Sequence, residues 1–163
     1  MTREQAADRA RSACGHGTIY KLGQGGMKPH RSVPWDDEQE CDCSGFAMWA
    51  LGMSRFDAES GLWYDSSKIY AEAKAGSFLF TSYDWKSALP GDLLVYPDRT
   101  GTDGVRRHGH VGMVVAVEPG AGPFLMVDCS SGNFQRHSDA IREGPPDLFV
   151  TRGIVASYTR FAG

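Results

Sequence analysis

The sequence predicts an α+β fold in which N-terminal helices pack on an antiparallel β-sheet, and three observations lead there. Behind a polar lead-in, Glu40-Cys41-Asp42, residues 43–52 form an almost wholly apolar run ending at Gly52, the pattern of a helix buried on nearly every side. Beyond residue 90 the period changes. Leu93–Tyr96, His110–Val117, Phe124–Val127 and Ile154–Tyr158 are short and rich in β-branched or aromatic residues, with Pro or Gly breaks between them. Helices followed by strands, rather than alternating with them, read as a segregated α+β domain. A chain of 163 residues suits one domain, 1–163, with a substantial core.

Taken in order, Thr2 to Cys14 reads as a helix. Thr2 with Gln5 makes a capping box, Ala6, Ala7, Ala10, Ala13 and Cys14 form a small-residue stripe, and Gly15 stops it. Gly17-Thr18-Ile19-Tyr20 and the glycines at 23, 25 and 26 mark a loop that carries Tyr20 toward the next element. Met27 to Glu40 is an acidic, proline-containing surface loop. Asp42 is placed to N-cap the buried helix and Gly52 to close it in the left-handed conformation. A third helix follows, capped by Asp65 or Ser66, with Ile69, Tyr70 and Ala73 on one face and Gly76 as its stop. The strands come next, with a hairpin turn near Pro119-Gly120.

Charge and composition exclude several function classes. Lys and Arg number 17 against 20 Asp and Glu, a net charge of −3 with no basic cluster, so neither nucleic acid nor an anionic membrane is expected as a partner. No stretch reads as a membrane span, and the charged N-terminus lacks a signal-peptide apolar core. Localisation is therefore open: cytoplasmic, or export by a non-classical route, as for a lysin or a secretion-system effector. Four cysteines, Cys14, Cys41, Cys43 and Cys129, do not make a disulfide scaffold, although one bridge between two of Cys14, Cys41 and Cys129 stays open. Cys41-Asp42-Cys43 lacks the two-to-four-residue spacer of zinc ligand pairs, so no metal and no cofactor is expected.

Chemistry concentrates at three places. Cys43 falls in the first turn of the buried helix, where free N–H groups and the macrodipole would stabilise a thiolate held rigidly by its surroundings. The ordinary alternative is a small buried hydrophobe. His110 opens the apolar strand His110-Val111-Gly112, with Gly112 two residues on and hence on the same face. It is preferred to His108 because it abuts the strand. Asp128 ends the returning strand and, in simple hairpin register, arrives beside His110, where a carboxylate fixes the tautomer and supports the imidazolium. Its alternative role is to shape the turn before Cys129-Ser130-Ser131-Gly132. Cys43, His110 and Asp128 would be nucleophile, base and orienter.

Five segments together carry a family resemblance: Gly17-Thr18-Ile19-Tyr20 with the later glycines, Asp42-Cys43-Ser44-Gly45-Phe46, Leu89-Pro90-Gly91-Asp92-Leu93, His110-Val111-Gly112 and Val127-Asp128. In this order they resemble the motifs of the NlpC family of papain-like cysteine peptidases, and they span most of the chain. The resemblance implies a papain-like core with the catalytic cysteine at the N-terminus of a buried helix. It assigns Cys43 as nucleophile, His110 as base and Asp128 as orienter, a position where the family more often has histidine. Tyr20, Asp42, Ser44 and Gly112 are implied at the substrate site, and Asp92 is structural. The activity implied is hydrolysis of amide bonds in bacterial peptidoglycan, with a stem peptide or muropeptide as substrate and an inhibitor or immunity protein as a further kind of partner. The main alternative is a catalytically silent module binding cell-wall peptides on the same fold. A redox or metal protein using Cys41, Cys43 and Cys129 is a more distant one.

Overall fold

The computed structural model describes residues 1–162. Helix α1 (Arg3–Ser12) begins with the expected capping box: Gln5 N–H donates to the Thr2 hydroxyl at 3.3 Å and Thr2 N–H to the Gln5 side-chain Oε1 at 2.8 Å. Its alanine stripe is buried, and the absence of larger side chains lets the helix lie close to its neighbours. The loop glycines follow β1 (Ile19–Tyr20), which pairs in parallel with β2 (Glu40–Cys41), setting Tyr20 opposite Cys41.

Helix α2 (Cys43–Ala50) is buried along its whole length. Asp42 caps it by accepting from Gly45 N–H at 2.8 Å. At the other end Gly52 takes φ +71°, so that Gly52 N–H reaches the Trp49 carbonyl at 2.8 Å and Met53 N–H the Met48 carbonyl at 2.9 Å. A small hairpin, β3 (Phe56–Asp57) with β4 (Leu62–Trp63), leads to α3 (Ser66–Ala75). Asp65 is the cap and Gly76, at φ +66°, the stop.

The remaining chain builds one antiparallel sheet from β5 (Phe80–Tyr83), β6 (Leu93–Tyr96), β9 (His110–Glu118), β10 (Gly122–Cys129), β11 (Ile141–Gly144) and β12 (Ile154–Tyr158), in spatial order β11-β10-β9-β6-β12-β5. Between β6 and β9 the short pair β7 (Arg99–Thr100) and β8 (Arg106–Arg107) forms a basic hairpin. Helix α4 (Ser131–His137) joins β10 to β11, and α5 (Asp147–Val150) joins β11 to β12. The main core lies between the helices and one sheet face, with Phe46, Trp49, Ile69, Val111 and Val127 in it; Phe149 of α5 closes a second core with Leu94, Val114 and Val155 on the other face. Burial on both faces explains why Leu93-Leu94-Val95 is continuously apolar rather than alternating.

Five helices and a six-stranded antiparallel sheet, counted among the described residues, give the expected α+β class. The strands β5 and β11 and the helices α4 and α5 were outside the sequence expectation. Among the described residues no helix is long and apolar enough to cross a membrane. All four cysteines are free thiols, so the bridge left open by the sequence is not present.

Candidate active site

The site forms where the N-terminus of α2 faces the start of β9. Two backbones make close contact to build it. The glycine loop lies directly on α2 at Gly45: a Cβ there would stand 2.5 Å from the Gln24 carbonyl oxygen and 2.7 Å from that of Gly25, and a Cβ on Gly26, at φ +79°, 2.7 Å from the Gly45 Cα. Only glycines on both sides permit this approach. The loop is then tied to the cap, since Gly23 N–H donates to Asp42 Oδ2 at 2.6 Å and Asp42 N–H to the Gln24 carbonyl at 3.0 Å.

Cys43 thus sits in the first turn of a helix that cannot shift, 6% exposed. Across from it, His110 Nε2 lies 2.6 Å from Asp128 Oδ2, and the Cys43 thiol is the ring's other titratable neighbour. Burial disfavours the charge on the ring, but the hydrogen bond and charge of Asp128 and the neighbouring Cys43 outweigh it. The His110 pKa is held well above its ordinary value. Phe149 stacks on the imidazole at 5.5 Å and Tyr96 packs at 6.2 Å, so the ring has little freedom.

The strand register that joins His110 to Asp128 is not simple. Shifts on either side of Leu125 set Asp128 opposite Gly112, so its carboxylate reaches His110 along the diagonal. Gly112 makes room for this. A Cβ there would lie 3.0 Å from the Asp128 Cβ and 2.9 Å from the Val127 carbonyl oxygen. Gly112 is buried beneath Asp128 and lines neither cleft, which corrects its expected place at the substrate surface.

Of the other expected residues, Tyr20 does border the site, half-buried, its phenol pKa pushed up by burial and by the nearby Cys43 and Asp42. Asp42 and Ser44 are 2% and 3% exposed, and their oxygens face inward to Arg55. Asp42 accepts from Arg55 Nη2 at 3.1 Å, with Nη1 3.0 Å from its other oxygen, and the Ser44 hydroxyl accepts from Nη2 at 2.8 Å. They support the helix end from below and also border the smaller cleft beside Cys43. His108 is exposed and lies 3.8 Å from Asp98, at the rim of the clefts rather than paired with Asp128. Asp92 is buried and accepts from Leu89 N–H at 2.9 Å and from Arg3, holding α1 against the turn before β6.

Two residues were missed. Arg55, 1% exposed, stacks on Trp63 at 4.3 Å, and its Nε has no partner among the described residues. In sequence it follows the buried helix as Met53-Ser54-Arg55-Phe56, where nothing distinguishes it from a surface arginine. Asn133 donates from Nδ2 to Asp128 Oδ1 at 3.0 Å. The spacing Ser130-x-x-Asn133, a helix-cap pattern, was the available signal.

Two clefts meet over the thiol and imidazole. One of about 740 Å³ opens past His110, Asp128, Tyr96 and Phe149, and one of about 170 Å³ opens past Cys43, Arg55, Trp63 and Asp65. They share Tyr20, Leu22, His108 and Gly109 at their junction, so an extended chain has room on both sides of the sulfur. Among the described residues no group of three or more His, Cys, Asp or Glu side chains is arranged to hold a metal ion. A scan against models of protein families matches none, and a search of curated proteins finds no significant match.

Proposed function

We propose that the protein is a papain-like cysteine peptidase or amidase of the NlpC type, hydrolysing amide bonds in bacterial peptidoglycan peptides through Cys43, His110 and Asp128. The observation that carries this reading is a helix N-terminal thiol neighbouring an imidazole that a carboxylate holds at 2.6 Å. Supporting it, Asp42 occupies the N–H of Gly45 and, through its carbonyl, that of Phe46 at 3.0 Å, so the Cys43 and Ser44 N–H groups remain for an oxyanion. The two clefts supply the extended binding surface a peptide needs. The substrate class rests on the motif resemblance.

In the reaction, the Cys43 thiolate attacks the scissile carbonyl carbon and the C–S bond forms as the carbonyl π electrons move to oxygen. The tetrahedral adduct collapses, its C–N bond breaks, and the His110 imidazolium gives its proton to the departing amine. Neutral His110 then takes a proton from water, whose oxygen attacks the thioester and releases the acid and the thiolate. Throughout, Asp128 holds the ring.

Incubation with purified peptidoglycan and mass analysis of the soluble fragments tests the proposal. New amine and carboxyl termini are expected within stem peptides, and none with Cys43→Ala. Binding without fragments in the native chain would leave the silent module. Fragments of equal yield from Cys43→Ala would remove covalent catalysis.

A further inference from the structure

Asp128 has a second tether. Oδ2 serves His110, while Oδ1 accepts from Asn133, which the returning helix α4 brings back over the end of β10. The amide of Asn133 is itself fully engaged: Nδ2 also donates to the Ala140 carbonyl at 3.3 Å, and Oδ1 accepts from Arg136 Nη2 at 3.4 Å. Both partners of Nδ2 are acceptors, so only one orientation of the amide satisfies them. Its backbone is fixed too, through Asn133 N–H donating to the Ser130 hydroxyl at 3.1 Å.

We propose that Asn133 is a positioning residue for the His110–Asp128 pair, locking the carboxylate plane so that one oxygen stays on the imidazole. This rests on the catalytic reading of Cys43 and His110. The Asp128 side chain is 19% exposed at the wall of the larger cleft, and rotation about its terminal torsion is soft, so a single hydrogen bond on one oxygen would not fix the carboxylate plane. A donor on each oxygen does. The charged or titratable groups around the pair are Cys43 from α2, Tyr20 from β1, Tyr96 from β6, Arg136 from α4, Arg142 opposite Asp128 on β11, and His108, Glu143 and Asp147 along the same cleft.

The test compares the native chain with Asn133→Ala and Asn133→Asp, reading the pH dependence of Cys43 alkylation by iodoacetamide and the NMR titration of the His110 ring. Neither readout needs a substrate. Asn133→Ala should slow alkylation roughly tenfold near neutrality, within the loss that about 1 Å of misplacement brings. Asn133→Asp places two carboxyls side by side, and such a pair shares a proton at low pH. While that proton donates to Asp128, alkylation should match the native rate within about twofold; once it is lost, the rate should fall and the His110 titration should move to higher pH. A native His110 titration and alkylation profile in both variants would overturn the proposal. So would a loss that is uniform with pH and accompanied by a lower melting temperature, which is what a purely structural asparagine would give. Shifted profiles in the two variants, with no peptidoglycan fragments from the native chain, would instead reject the substrate assignment and leave the role of Asn133 standing.

Discussion

His110 meets the Asp128 carboxylate and the Cys43 thiol inside a wall of aromatic rings, and the conflict between desolvation and these partners sets the properties of the ring. The partners win, so the ring stays protonated at pH values where a free imidazole would not. The other thiols have no such partner. Burial, with the Glu143 charge behind it, pushes the half-buried Cys14 thiol up to about 11, and burial next to Cys41 pushes Cys129 well above its ordinary range. Iodoacetamide between pH 5 and 7 should therefore label Cys43 first, as peptide mapping would read; equal labelling of Cys14 would contradict the thiolate–imidazolium pairing. Replacing Asp128 with Asn keeps the shape and removes the charge. The basic limb of the pH–rate profile should then move to lower pH, and a tenfold change in proton affinity there corresponds to about 1.4 kcal/mol of lost imidazolium stabilisation. Asp128→Ala, which also frees the ring, should be slower than Asp128→Asn. Identical pH profiles for the native chain and both variants would exclude Asp128 as the partner of the proposed base.

At the scale of elements, α2 and its cap were legible because each signal is local: an apolar run, an N-cap aspartate, a closing glycine. The capping box of α1 and the aspartate cap and glycine stop of α3 were readable for the same reason. The His110–Asp128 pairing was readable in outcome but not in geometry, since the irregularity around Leu125 decides the register and Leu125 looks like any strand residue. Helix α4 was not read because Ser130-Ser131-Gly132-Asn133 has turn chemistry, and its seven residues bury no apolar stripe. Arg55 was hidden because its burial depends on contacts from the loop at 24–25 and from Trp63, none of which is local. Its removal has a large expected effect. Arg55→Met would leave the Asp42 carboxylate buried without its cation, which costs about 3–5 kcal/mol and, for a chain of this size, roughly 6–20 °C in melting temperature. Adding Asp42→Asn, which retains a capping oxygen, should recover part of that loss. Strict additivity in the double variant would show that the ion pair does not hold the helix end.

On the scale of the whole molecule, the site is a seam: the thiol belongs to the helical layer and the imidazole and carboxylate to the sheet. Other ties cross the same boundary, among them Arg3 to Asp92 and to Ser157 at 2.6 Å. The charge on His110 is therefore a contact between layers as well as the proposed base, and it should appear in the stability of the fold. The sign follows from linkage. A histidine whose folded pKa is raised above its unfolded value near 6.5 contributes stability that is fully present below that value and is lost as pH rises through the folded pKa. Melting temperatures of the native chain should thus decline from neutral toward alkaline pH, in a window where the carboxylates no longer titrate. Asp128→Asn lowers the folded pKa of His110, so its deficit relative to the native chain should be greatest in weak acid and should shrink as pH rises. Thermal melts of both proteins from pH 5 to pH 9 measure this directly. Parallel curves over that range would mean that the seam is held by packing alone and that the imidazolium adds nothing to the joining of the two layers.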